Sequence, residues 1–459
     1  MDREASQSRP TRPLRHGKLT CPDCENLRET IRKLEEENTK LRDENADLKR
    51  RLAQYESPHT PPSRRMYPTR SRSSYGRRFP GRPRGHPGRT RRTPRPDAVK
   101  TPERRERCEG CGAPLGEPSY VGHRVVEEIS NPSPRQVIDF LTYEYKCTEC
   151  GSHTTARHPD CPPEGRFGRN LLVQATLMKY EERLPFEKVS RGMESEFGVP
   201  MTPATALDVT RRVGGWLRPE YEAVRERIRA SRVVYVDETG EKVDGVRHWL
   251  WCFTTEADTL VVIRRSRGVK VLEETLGKKF GGTLVCDGWR PYPNYTGNIQ
   301  RCWAHLLREA EWLAERFGEA KPLRRGLMRL FLEVKAALVG DPPPRVRVRL
   351  RVSAERRLRR WLGRRYEGVE VVRFVGKVRN GFGHWFTFVT VPGVEPTNNR
   401  AERALKEHVV QRKIFGTFRN GKGTGIYETV MSLLATWRQR GLNPYEAMAE
   451  SLTAAWSRS

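Results

Sequence analysis

A chain of 459 residues with 86 Lys and Arg against 57 Asp and Glu carries a formal charge of +29 and calls for a polyanionic partner. No apolar run approaches the ~18 residues that cross a bilayer, and the opening MDREASQSRP has no apolar signal core, which predicts a cytoplasmic protein; a membrane-surface role, the other reading of the charge, is accompanied by no lipidation motif or amphipathic anchor, and no membrane partner is expected. Ten cysteines, six of them in Cys-x-x-Cys pairs, point to metal binding rather than disulfides, and the length suits about three domains.

Residues 1–24 are expected to be disordered. Cys21 and Cys24 within them stand alone at the start of the next segment, would need metal ligands from a second chain, and read as reduced thiols. Over 25–56, Leu27, Leu34, Leu41, Leu48 and Tyr55 recur every seven residues, with Ile31, Asn38, Asn45 and Leu52 at the matching a positions. This predicts a leucine-zipper coiled coil, and buried Asn at a favours a parallel homodimer in one register. Glu37 with Arg42 and Glu44 with Lys49 attract each other across the seam.

From 57 to 105 the composition shifts to Arg, Pro, Gly and Ser, with twelve arginines and no acidic residue between Arg64 and Arg95. Such a segment builds no core and reads as a disordered basic arm. Arg64, Arg65, Arg77, Arg78, Arg91 and Arg92 are its candidate phosphate contacts on double-stranded DNA. In a module over 106–165, Cys108 with Cys111 and Cys147 with Cys150 form two knuckles that can close one Cys₄ site for a structural Zn²⁺. FLTYEYK, ending at Lys146, predicts a strand entering the second knuckle, and His153, His158 and Cys161 remain spare candidate ligands.

Residues 166–230 turn helical. Two helices joined by a Gly-containing break, the second capped by Thr202 with Pro203 at its first position, fit either a helix-turn-helix or a helical bundle without a ligand. A different texture spans 231–420. Three successive strands, a helix and a fourth strand are predicted, with Asp237 inside the first strand and Asp287 at the end of the fourth, followed by a helical insertion around 305–390. A carboxylate in a buried strand is costly unless it is paired or binds a metal. That element order is the order of an α/β, ribonuclease H-like domain. A C-terminal helical region completes the chain over 421–459.

Glu402, in EPTNNRAERALKEH, supports two readings. Asn399-x-x-Glu402 fits a capping box, whereas Glu402 with Leu405 and Val409 falls on one apolar stripe, where a carboxylate can reach a metal.

VDETG, HWLWCFTT, SRGVKVLEETLGKKFGGTLVCDGWRPYP, RCWAHLLREA and EPTNNRAERALKEH together resemble the IS66 family of insertion-sequence transposases. YEERLPFEKVSRGMESEFGVPMTPATALDVT and the closing GLNPYEAM are similar to further parts of that family, and the resemblance covers roughly 105–450. It implies a DDE transposase with Asp237, Asp287 and Glu402 as catalytic residues and metal ligands for two Mg²⁺ (or Mn²⁺) ions. Strand cleavage at the element's ends and strand transfer into target DNA would follow. Cys302-x-x-His305 resembles a motif of several DDE families, and a packing role for both residues stays open. With Asn399 they form a possible auxiliary set, while Arg400 and Arg403 are candidate DNA contacts beside Glu402. The stretch after His305 departs from the family by lacking its doubled arginine followed by Lys-Phe. A transcriptional regulator derived from an inactive transposase, or a nuclease that cuts without joining, are the alternative functions.

Overall fold

The computed structural model describes residues 29–45, 160–288 and 291–457, with short pieces at 114, 137–140, 143–146, 153–156 and 158. Two units, 1–82 and 83–459, each stand by themselves. In the first, the described residues form one helix, α1 (29–45). Its Ile31, Leu34 and Leu41 are more than half exposed, while Lys33 pairs with Glu29 (3.3 Å) and Arg32 with Glu36 (3.9 Å) on its surface. Asn38 and Asn45 are exposed on the same helix, whereas Leu27, Leu48, Leu52 and Tyr55, the arm arginines and all four knuckle cysteines lie outside the described residues.

The second unit opens with β1 (Tyr143–Lys146), antiparallel to β2 (His153–Ala156), with Lys146 opposite His153. The expected strand is therefore present but starts at Tyr143, and His153, a spare ligand candidate by sequence, is a strand residue. Four helices follow: α2 (Arg169–Tyr180), α3 (Phe186–Phe197), α4 (Pro203–Trp216) and α5 (Arg218–Arg229). Thr202 caps α4 as expected, its hydroxyl accepting from the Thr205 N–H at 3.2 Å, with Pro203 at the first turn.

Then come β3 (Val233–Val243), β4 (Val246–Thr254), β5 (Thr259–Arg264), α6 (Val269–Leu276), β6 (Thr283–Cys286), α7 (Pro291–Tyr295) and β7 (Ile299–Arg301). Asp244 and Gly245, at φ 53° and 70°, make the two-residue β3–β4 turn, the left-handed pair that a twisted hairpin requires. The sheet order is β5-β4-β3-β6-β7, antiparallel as far as β3 and parallel beyond it. The four strands and the helix expected by sequence are all there, and the domain is mixed α/β. β7 was not anticipated, because three residues of mixed polarity show no alternation.

The chain continues with α8 (Trp303–Arg316), α9 (Ala320–Ala337), α10 (Pro344–Leu362), α11 (Val369–Asn380), a 3-10 turn (Phe382–His384), α12 (Thr387–Thr390), α13 (Asn399–Phe415), α14 (Gly421–Gln439) and α15 (Pro444–Trp456).

Alternation along β3 divides two cores. Val234 and Val236 face one core with α2 to α5, α14 and α15, whereas Tyr235 faces the other with α8 to α12. The helices of 166–230 and of 421–459 thus share a core with the sheet. α14 also covers the edge strand β5. Its Thr436, Ser432 and Glu428, one turn apart, accept the N–H groups of Thr259, Val261 and Ile263 at 3.1, 2.8 and 2.7 Å. The match is one of rise: four helical residues climb about 6 Å and two strand residues about 6.6 Å.

Candidate active site

The parallel half of the sheet brings the sequence-predicted carboxylates together. Val233, Val234 and Tyr235 of β3 lie opposite Thr283, Leu284 and Val285 of β6. The same offset carries Asp237 to Asp287, which follows the last residue of β6. On the other side Cys286 lies opposite Arg301 of β7, so Asp287 lines up with Cys302. By alternation, Asp237 falls on the Tyr235 side of β3. The site therefore forms where parallel strands end and helices begin, the usual location of ligand sites in open α/β sheets.

Glu402 arrives on the first turn of α13, and the loop ahead of that helix is fastened to the sheet. Asn398, fully buried, donates its side-chain amide to the Val236 carbonyl at 2.8 Å, and its backbone N–H reaches Cys302 Sγ at 3.1 Å. Trp303 N–H bonds the Pro396 carbonyl (3.0 Å), and Glu395 N–H bonds the Tyr235 hydroxyl (3.1 Å). The capping box expected from Asn399 and Glu402 does not form. The helix is capped by Asn398, one residue earlier, which makes no side-chain cap bond, and Asn399 is exposed. Released from capping, Glu402 faces α8, with Oε1 3.5 Å from His305 Nδ1 and Oε2 4.0 Å from Arg308. Oε1 is buried and makes no hydrogen bond.

The acidic groups sense one another. Burial pushes the Asp237 carboxyl well above the usual carboxylate range, with added repulsion from Glu238, Asp287 and Glu402. Glu238 projects to the opposite face of β3, where Tyr292 donates to it and Arg267 pairs with it at 2.7 Å. Its carboxyl too is raised, first by burial and then by Asp287. This Glu238–Tyr292–Arg267 cluster was missed by sequence; two adjacent acids in an apolar strand were its signal.

Among the described residues, the His, Cys, Asp and Glu side chains whose ligand atoms all come within 4.8 Å of one another are Cys302, His305 and Glu402. The three predicted carboxylates do not draw that close. Burial pushes the Cys302 thiol up, so it serves as a neutral acceptor for the α13 loop, and His305 is the member of the motif that meets Glu402. The neighbouring acids are engaged elsewhere: Glu395 pairs with Arg400 (2.7 Å), and Glu407 binds Arg183 through both oxygens (2.8 and 2.7 Å). Arg400 also lies over the Tyr235 ring at 5.2 Å, so this candidate DNA contact braces the loop, whereas Arg403 is exposed.

The sequence model described as "Transposase IS66 family" matches residues 164–425, more than half of the chain, and the chain belongs to that family. Two similar curated proteins are uncharacterized proteins of Sinorhizobium fredii (strain NBRC 101917 / NGR234). y4qI is 23% identical over 62% of this chain and 58% of its own length, and y4jD is 22% identical over 78% and 76%. The chain thus spans less than two thirds of y4qI.

Proposed function

We propose that this member of the transposase IS66 family cuts its element's DNA ends and joins them to target DNA, with Asp237, Asp287 and Glu402 as the catalytic carboxylates on a ribonuclease H-like sheet. The observation that carries the reading is the shared register of Asp237 and Asp287 at the ends of parallel strands, with Glu402 close enough to raise the Asp237 carboxyl. Strand order β5-β4-β3-β6-β7 supports the fold assignment.

The residues suit divalent cations. All three donors are carboxylate oxygens, one buried oxygen of Glu402 lacks a hydrogen bond, and the negative charge on Asp237 is uncompensated by any cation among the groups that shift it. Such hard oxygen sets favour Mg²⁺ or Mn²⁺. When bound, two ions would activate the attacking hydroxyl and stabilise the leaving oxygen. The chain's own contribution is placement. β3, paired on both sides just before Asp237, fixes that carboxylate; Asn398 ties the start of the Glu402 helix to the same strand; His305 holds a position beside Glu402.

Cys108, Cys111, Cys147 and Cys150 are proposed to hold one structural Zn²⁺, the second pair falling in the connection between the paired strands β1 and β2. The exposed Ile31, Leu34 and Leu41 of α1 support a homodimer, and the arginine-rich arm a duplex DNA partner. The test is incubation of the full chain with Mg²⁺ and duplex carrying the element's own ends, labelled at the 3′ strands. Cut and then joined products are expected. Binding without cutting, as for a regulator, or cutting without joining, as for a nuclease, would overturn the proposal.

A further inference from the structure

The helical insertion between β7 and α13 holds a second concentration of charge. Between residues 320 and 365 stand fifteen Lys and Arg against three acidic residues. They are not spread evenly around their helices. Arg325 and Arg329, one turn apart on α9, and Arg357, Arg360 and Arg364, at i, i+3 and i+7 along α10 and just past its end, line one cleft of about 430 Å³. Trp361 lies in its wall, with the Arg364 guanidinium 4.0 Å above the indole.

The cleft is built by a close helix approach. Gly326 of α9 meets the Trp361 ring where any Cβ would collide with it. On the far side of both helices, Leu323, Leu327, Leu330, Leu358 and Leu362 are buried, which fixes which faces turn outward. Of the five arginines, Arg357 is paired, with Glu333 at 2.6 Å. Arg325, Arg329, Arg360 and Arg364 are exposed and have no acidic partner among the described residues.

Four uncompensated guanidiniums around one cleft repel each other, and this arrangement gains stability from a polyanion laid across it. We propose that the α9–α10 cleft binds the phosphodiester backbone of duplex DNA, as a site separate from the carboxylates and from the arginine-rich arm. This rests on the reading of the protein as a DNA transposase and adds where a stretch of that DNA is gripped. Guanidinium forks match phosphate oxygens in pairs, and contacts of this kind position a duplex without reading its sequence.

The test uses the full chain and a fluorescent duplex lacking the element's ends, so that neither end recognition nor cleavage is needed. Arg325, Arg329, Arg360 and Arg364 are replaced together by Gln, and in a second protein together by Lys. With about 0.9 of salt slope per phosphate contact, the Gln protein should lose roughly 3 to 4 from the slope of log affinity against log salt, and at least about tenfold in affinity at 0.1 M salt. The Lys protein, which keeps the charge, should retain most of both. Slopes that coincide for wild type and the Gln protein, with equal melting temperatures, would overturn the inference. So would weakened binding of polyglutamate by the Gln protein with DNA binding unchanged, which would assign the cleft to an acidic polypeptide. Failure of the transposase reading would look different: wild type would bind duplex without cutting element ends, whatever the Gln protein does.

Discussion

Asn398 and Asn399 stand side by side in the chain and do different things. The doublet is where sequence reasoning stops, because both residue types cap helices and the first turn can begin at either. Tertiary contacts decide: Asn398 is pulled inward to the Val236 carbonyl, and Asn399 is left to solvent. Asn398→Ala should strand that buried carbonyl and cost about 1–3 kcal/mol, measured by denaturant unfolding, and should also lower cleavage because the Glu402 helix loses its tie. Asn399→Ala should stay within about 0.5 kcal/mol of wild type. Asp237 and Asp287 stand out in the sequence because acids fall within or at the end of apolar strands there, whereas the spacing around Glu402 leaves it between cap and ligand and only the family resemblance implies its catalytic role. The contact of Cys302 with the Asn398 N–H and the pairing of Arg400 with Glu395 were not legible, since both depend on a loop folding back over the sheet.

At the scale of elements, β3 to β6 were legible from alternation and apolar runs, whereas β7 is too short to announce itself and β2 lies in a polar stretch. The α14 stripe belongs here. Ser432→Ala adds no atom to the packed seam but leaves the Val261 N–H unsatisfied, and should cost about 1–3 kcal/mol in unfolding experiments, whereas a substitution of exposed Lys422 should cost little. His408 makes α13 sensitive to acid. It is buried with Nδ1 2.8 Å from the Tyr427 hydroxyl, and burial, against the opposing pull of Glu407, pushes its pKa down to about 4. The folded protein therefore refuses a proton that the unfolded chain accepts below about 6.5. Stability is fully present above that pH and falls as the pH drops toward 4, by at most about 3 kcal/mol. His408→Asn should remove this component, visible as a smaller fall in melting temperature than wild type shows between pH 7.5 and 4.5; an identical pH profile for the two proteins would refute it. The raised Asp237 carboxyl acts in the opposite sense and is present in both proteins, so it cancels in the comparison.

For the whole molecule, the net charge was plain from composition, and the sharing of cores was not. Which helices pack on which face of the sheet depends on pairings far apart in sequence, such as α2 with α15 and α14 with β5. Dimerisation is expected to belong to the first unit. Leu34→Pro with Leu41→Pro, which breaks the helix as well as the seam, should give a monomer in sedimentation, and an unchanged oligomer would contradict the zipper. The central claim is that three carboxylates from β3, the end of β6 and α13 act as one catalytic set. Its most direct measurement is Mg²⁺-dependent cleavage and joining of labelled element ends by Asp237→Asn, Asp287→Asn and Glu402→Gln beside wild type. The account predicts that all three proteins stay folded and bind the ends, yet lose both reactions. Strand transfer retained by Glu402→Gln would contradict it.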